Sequence, residues 1–305
     1  MSATESRIPP GVRYMVLSAL GFSIMALFVK LAGKRLPTQE IVLSRAVIGL
    51  ALSYVHLRRR RVSPWGTRRG LLVVRGFLGL AGLFCFFYSV THLPLAEATV
   101  IHYVNPVLTA LLAALVLKEA LRPQVLLSAA ACLAGVLLVY RPAFLFGAAT
   151  SGLDLLTVTI GLGGACFSAL AYITVRTLSR TEDPLVIVFY FPLVALPATL
   201  PTVIGVALWP TPLEWLYLLG VGLFTQVGQV FLTKGLQHEP AGKAMTIAYI
   251  QVFFAAAWGV IFFGDRLTAG TIGGALLILL GVALLGLRSS GAARRPPVAR
   301  PETLD

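Results

Sequence analysis

Charge is what this 305-residue chain has least of: 12% of its residues are Asp, Glu, Lys or Arg, about half the ~25% of ordinary soluble domains. With 57% hydrophobic residues, this shortage argues against a soluble enzyme, because too few polar side chains exist to cover a water-facing surface. Cysteine is scarce too. Cys85, Cys132 and Cys166 all lie inside apolar runs, which excludes a disulfide framework and reads as small apolar packing residues. The four histidines, His56, His92, His102 and His238, have no metal-ligand spacing, and no phosphate-cradling GxxxxGK[ST] loop occurs. No nucleophile with a base and no paired carboxylates are placed to react, so an enzyme is not expected and neither is a cofactor. Asn occurs once, at Asn105, and Lys five times against twenty Arg. With abundant Ala and Gly, that bias points to a GC-rich genome and hence to a bacterial inner membrane.

Long apolar runs are what the chain has in abundance. A bilayer core of roughly 30 Å needs about 20 apolar residues per crossing, and runs bounded by charges, Pro or Gly predict ten spans. They cover 12–32, 39–57, 70–91, 95–117, 122–140, 153–176, 185–208, 213–236, 241–263 and 268–287. The first run is long and has no small-residue cleavage site, so it reads as a retained anchor rather than a cleaved signal peptide. Short loops rich in Lys and Arg stay in the cytoplasm. With the N-terminus inside, 18 of the 25 basic residues fall on inner segments and 5 on outer ones, while Arg45 and Arg75 sit within spans. The net charge of +13 is therefore attributed to topology and lipid headgroups rather than nucleic acid. Arg75, near the cytoplasmic end of its span, is expected among the headgroups.

The second half repeats the first. A shift of 146 places His92 on His238, Pro94 on Pro240, Tyr103 on Tyr249, Gly76 on Gly222, Gly82 on Gly228 and Gly135 on Gly281. Five spans per half is an odd number, so the two copies face opposite ways across the membrane. Inverted repeats of this kind build alternating-access carriers that hold substrate near the midplane. The chain divides accordingly into a cytoplasmic tail (1–11), a first repeat (12–140), a connecting loop (141–152), a second repeat (153–287) and a disordered cytoplasmic tail (288–305).

The stretches FYSVTHLPLAEATVIHYVNPVLTALLAALVLKEAL and FLTKGLQHEPAGKAMTIAYIQVFFAAAWGVIFFGDRL, with LSRAVIGLAL in the second span, resemble the EamA type of the drug/metabolite transporter superfamily. The resemblance covers about 12–287. It implies an all-α membrane fold of ten transmembrane helices, two inverted five-helix repeats around a central cavity, and transport of substrates that range across the family from amino acids to nucleotide sugars and drugs. Many members carry an acidic residue before the proline of the fourth span, where this chain has Asn105 and Pro106.

A charged group inside a span is costly unless it faces a cavity or a partner. Arg45 matches an arginine often found at its position in the family. It either binds an anionic substrate group through its planar fork, or snorkels outward or pairs with Glu40 or Glu97. In the fourth span Glu97, His102, Tyr103 and Asn105 gather polar atoms beside Pro106, which is able to kink a helix. Asn105 is a substrate contact or part of a structural bend. His102 is a substrate ligand, a proton carrier or an interhelical hydrogen-bonding residue, and Glu97 is a second candidate for coupling. Tyr249 and Gln251 repeat the arrangement in the ninth span. Gln226, Gln229 and Thr233 share one face of the eighth, either lining a pocket or bonding to other helices. Periodicity directs Tyr103, Tyr249, Gln226 and Gln229 to one cavity, while Ser23, Ser168, Tyr172 and Thr174 are weaker candidates.

The expected function is a secondary carrier for a small amphiphilic or anionic metabolite, amino-acid-like or nucleotide-like. A membrane scaffold without transport is the main alternative. The expected partners are a small-molecule substrate and membrane lipids, not nucleic acid, with a homodimer left open. Single cysteines near Arg60 and Arg295 should be labelled by impermeant reagents only from the cytoplasm, and one near Thr150 only from outside. Labelling of the Arg60 and Thr150 sites from the same side would overturn ten spans.

Overall fold

The computed structural model describes residues 8–92, 101–140, 145, 155–264 and 268–286. The expectations for Glu97 and Pro94, for most of the N-terminal tail and the connecting loop, and for the C-terminal tail lie outside them. The described residues are helical throughout, in the order α1 (Pro10–Ala32), α2 (Thr38–Arg59), α3 (Arg69–His92), α4 (Asn105–Val116), α5 (Pro123–Tyr140), α6 (Leu155–Leu178), α7 (Pro184–Val203), α8 (Pro212–His238), α9 (Ala241–Ala248), α10 (Ile250–Phe263) and α11 (Ala269–Gly286). Among them seven stretches are long and apolar enough to cross a membrane, α9 and α10 counting together, and α4, α5 and α11 are shorter apolar helices. The outer surface is apolar: Leu115 and Leu155 are each 77% exposed and Ile204 80%. Water would not tolerate such a belt, and lipid requires one.

Local chemistry starts and stops the helices. Pro10, Pro184 and Pro212 occupy first-turn positions, where a missing N–H costs nothing. Asp183 accepts the backbone N–H of Leu185. Thr211 and Glu214 form a capping box at the start of α8. At the end of α10, Gly264 takes the left-handed conformation, φ 66°, that closes a helix. The seventh span stops at Val203 rather than running to 208, because the backbone turns extended at Ile204 and left-handed at Gly205, φ 86°.

Two spans expected to be continuous are broken, and at equivalent places. The fourth breaks at Tyr103 and Val104, where Val104 N–H bonds to Ile101 C=O and Val107 N–H to Val104 C=O. The ninth breaks at Tyr249, where Tyr249 N–H bonds to Thr246 C=O and Val252 N–H to Tyr249 C=O. Both are tight i→i−3 turns. Pro106 starts α4 rather than kinking it, and its counterpart by the 146-residue shift is Val252. The break therefore does not depend on proline.

Packing pairs helices of one half with helices of the other. The main contacts are α1 on α8, α3 on α6, α5 on α11, α2 on α7 and α8, α3 on α7, α4 on α6 and α9, and α1 on α9 and α10. Exchanging the halves turns α1 on α8 into α3 on α6, α2 on α8 into α3 on α7 and α4 on α6 into α1 on α10, and leaves α2 on α7 and α5 on α11 unchanged. Single residues obey the exchange as well. A side chain on Gly76 would strike Val194, and one on Gly222 would strike Ile48, which the 146-residue shift superimposes on Val194. The backbones touch at Gly21 and Gly228, at Gly82 and Gly164, and at Gly135 and Gly274, and Ser18 Oγ donates to Gly228 C=O at 2.9 Å. Small residues permit this approach, on which helix association in lipid depends.

The two seams should respond differently to an added methyl. Gly222→Ala drives its Cβ into Ile48 Cγ2 and should cost about 1–3 kcal/mol, much of it recovered in the Gly222→Ala, Ile48→Ala double variant. Gly274→Ala meets the Gly135 carbonyl oxygen at 2.5 Å, which no side-chain change can relieve. Thermal unfolding midpoints of the purified variants in detergent measure both, and equal rescue at the two seams would refute the distinction.

Candidate functional site

Arg45 on α2 and Arg75 on α3 converge on one aromatic ring. Their guanidinium carbons lie 5.3 and 5.1 Å from the centroid of Phe191 on α7, a cation–π range. Arg75 is 3% exposed and its Nη2 donates to Gln229 Oε1 on α8 at 3.3 Å. Its expected place among headgroups is thus corrected. Packing of α3 between α6 and α7 buries it, and Gly79, one turn on, leaves space that a Cβ would take 2.9 Å from Arg75 Nη1. Tyr172 on α6 stands in the electrostatic field of both arginines. Beside them Gln226 Nε2 donates to Ser53 Oγ at 2.8 Å. The glutamine stripe of α8 thus faces α2 and α3, and Thr233 returns its hydroxyl to its own helix at Gln229 C=O.

The tyrosines form a second cluster. Tyr103 and Tyr249 stack with centroids 5.9 Å apart and planes inclined by 25°. Tyr249 is wholly buried among Cys132, Val136, Val252 and Ile278, and its hydroxyl donates to Tyr103 C=O at 2.7 Å, bridging the two helix breaks. The tyrosines thus meet across the two helix breaks, while the glutamines meet Ser53 and Arg75. Next to Tyr103, the His102 ring meets Phe86 at 4.6 Å, and His102 Nε2 lies 3.5 Å from Asn105 Nδ2. Asn105 Oδ1 is buried with no hydrogen-bond partner. Gln251 is half-buried on α10, and Ser23 Oγ accepts from Trp258 Nε1 at 3.0 Å.

Charged side chains latch the helix ends. Arg35, in the α1–α2 turn, grips Glu214 of α8 with two hydrogen bonds, 2.7 and 2.5 Å, and these interactions raise the guanidinium's pKa above its ordinary value. Glu119 bonds Arg176 Nε at 2.9 Å and the Ala241 N–H at 2.9 Å, while Arg176 also holds the carbonyls of Leu236 and Gln237. In the α6–α7 turn Glu182 accepts from Thr67 Oγ1, Thr67 N and Arg68 N at the start of α3. Among the described residues no group of His, Cys, Asp and Glu could hold a metal ion.

Arg75, buried, and Arg45, half-buried, thus stand inside a shell of lipid-facing helices. The EamA-like transporter family matches twice, at residues 9–141 and 155–287. The chain belongs to that family. It is 34% identical over 284 residues to the pseudopaline exporter CntI of Pseudomonas aeruginosa, covering 92% of this chain and 97% of that protein. It is 33% identical over 281 residues to human solute carrier family 35 member G1, covering 88% of this chain and 76% of the relative. A solved crystal structure superimposes with a TM-score of 0.72 at 20% identity, covering 88% of this chain and 96% of that one, a likeness of fold. This EamA-family chain is a multi-pass membrane transporter of the drug/metabolite group and not an enzyme.

Of the site residues, Phe191 is not singled out by the sequence pattern, which also assigns Arg75 to the headgroups. The signals were available. The 146-residue shift lays Arg45 on Phe191, and Gly79 stands four residues after Arg75.

Glu182 supplies a pH test outside the spans. Burial opposes its charged form, but hydrogen bonds from Thr67 Oγ1, Arg68 N and Thr67 N and the charge of Arg68 outweigh it, so its pKa lies below the ordinary carboxylate value. A depressed folded-state pKa contributes stability above the unfolded value of about 4.3, which is lost as pH falls through the folded one. Glu182→Gln should lower the thermal midpoint at pH 7 and flatten its fall on the acid side. An unchanged acid limb would show that Glu182 does not latch α3.

Proposed function

We propose that this EamA-family chain is a secondary carrier moving a small amphiphilic or anionic metabolite, amino-acid-like or nucleotide-like, by alternating access between two inverted five-helix halves. The reciprocal packing of helices and the double family match support a duplicated architecture. Five spans per half, on the reading of α4, α5 and α11 as crossings, make the copies antiparallel and allow them to rock about a central site. The Lys and Arg distribution supports cytoplasmic termini, and the Arg-, Ala- and Gly-rich composition supports a bacterial inner membrane. Pseudopaline is the named cargo of one relative, which supports a small organic substrate here.

The observation that carries the anionic reading is Arg45. Its Nε is buried with no hydrogen-bond partner, and Glu40, the nearby carboxylate, is bonded to the Leu208 N–H instead. A guanidinium kept at a helix interface without counter-charge is poised for an anion from outside the chain. Tyr172, Gln226 and Gln229 supply neutral hydrogen-bonding groups around it, and His102, Asn105, Tyr103, Tyr249 and Gln251 belong to the neighbouring layer at the helix breaks. No described carboxylate lies beside the arginines, so coupling falls to exchange, to facilitated movement, or to a proton on His102 or Glu97.

The test begins with a thermal-shift screen of purified protein against charged metabolite classes, since a bound ligand stabilises the state it binds. For a ligand so found, Arg45→Lys keeps the charge but loses the fork. Affinity should fall by roughly 1.5–3 kcal/mol, about ten- to a hundredfold, with membrane insertion and the ligand-free midpoint retained. Unchanged affinity would assign Arg45 to structure.

A further inference from the structure

Five buried side-chain polar atoms among the described residues have no hydrogen-bond partner, and three of them belong to the two arginines: Arg45 Nε, Arg75 Nε and Arg75 Nη1. The six described carboxylates are all engaged elsewhere. Glu40 holds Leu208, Glu119 holds Arg176 and Ala241, Glu182 holds Thr67 and Arg68, Asp183 caps α7, Glu214 holds Arg35, and Glu239 pairs with Lys243 at 3.0 Å. Two cations, Arg75 buried and Arg45 half-buried with its Nε sealed off, thus share one aromatic face and one glutamine oxygen. Leaving a charge buried and unpaired is strongly unfavourable, and two like charges on one ring repel each other besides. A single monoanion would neutralise half of this charge.

We propose that Arg45 and Arg75 form one dianion site whose ligand is a small organic acid with two carboxylates, one on each guanidinium; the proposal rests on the anionic reading of Arg45 above. Both guanidiniums lie within 5.3 Å of the Phe191 centroid, so one short molecule reaches both, and its hydrocarbon spacer finds an apolar wall in the ring. Each carboxylate receives charge-assisted hydrogen bonds from the planar fork. Gln229, already bonded to Arg75 Nη2, orients that guanidinium and leaves Nε and Nη1 for the ligand. Arg45 comes from α2 and Arg75 from α3, while Phe191 and Gln229 come from the other half of the chain, so the ligand is gripped across the interface that alternating access must open.

The experiment uses the purified full chain in detergent with succinate and glutarate as probes, butyrate as the single-carboxylate control and inorganic phosphate as the inorganic one. Wild type should be stabilised more by the dicarboxylates than by butyrate. Arg75→Gln and Arg45→Gln should each weaken glutarate binding about ten- to a hundredfold, abolish its advantage over butyrate, and raise the ligand-free midpoint because an uncompensated charge is gone. Arg75→Met, of similar length, repeats the test should the Gln variant fold poorly. If Arg45→Gln loses all anions while Arg75→Gln and Arg75→Met lose none, the paired site is overturned and the Arg45 reading stands. If wild type and variants alike ignore every carboxylate and phosphate, both readings fall. A response to phosphate alone overturns the dicarboxylate class.

Discussion

Lipid offers a helix nearly the same apolar contact as another helix does, so what holds this bundle together is short-range dispersion between backbones brought close enough to touch. The glycine seams at Gly21 and Gly228, Gly82 and Gly164, and Gly135 and Gly274 are where that condition is met. All three join helices of different halves. Neither half is therefore a self-sufficient core, and the position of every polar group inside depends on the seams. Arg75 is buried because α3 is held between α6 and α7, and Arg45 faces Phe191 because α2 lies against α7.

Where the helices leave the apolar region, charge takes over from dispersion. The α1–α2 turn of the first half grips the start of α8 through Arg35 and Glu214. The α6–α7 turn of the second half grips the start of α3 through Glu182. Equivalent turns perform equivalent docking with unrelated residues, a guanidinium in one case and a carboxylate in the other. The geometry of the latch has been kept while its chemistry differs. Glu119 and Arg176 add a third tie, fastening the ends of α4 and α6 to the turn between α8 and α9.

Much of this was legible in the sequence because membrane helices announce themselves by length and apolarity. The all-helical class, seven stretches long and apolar enough to cross a membrane, and the family follow from runs of residues and from His, Pro, Tyr and Gly recurring at one shift. Depth and orientation within the bundle were harder to read. Arg75 lies six residues from the start of α3, which on a hydropathy scale is near the interface, and only the helices packed around it make that level dry. The breaks at Tyr103 and Tyr249 escaped because apolar periodicity does not register a single tight turn. Pro106 drew attention to one of them for a reason that its counterpart Val252 does not share. Gln226 and Gln229 were placed on one face by spacing alone, but their partners, Ser53 and Arg75, come from two other helices that no local pattern connects.

The register that lays Arg45 on Phe191 has one more consequence. A duplicated scaffold starts with the same residue at both places, and a site lined by two identical groups has no head or tail. Here one copy carries the cation and the other the ring it faces. The contact between these equivalent residues therefore joins two sides that differ in charge. On the anionic reading proposed above, a molecule lying there would meet a cation on one side and a hydrocarbon ring on the other, so its two ends would not be interchangeable. Divergence at one pair of equivalent residues is enough to give a symmetric frame a direction.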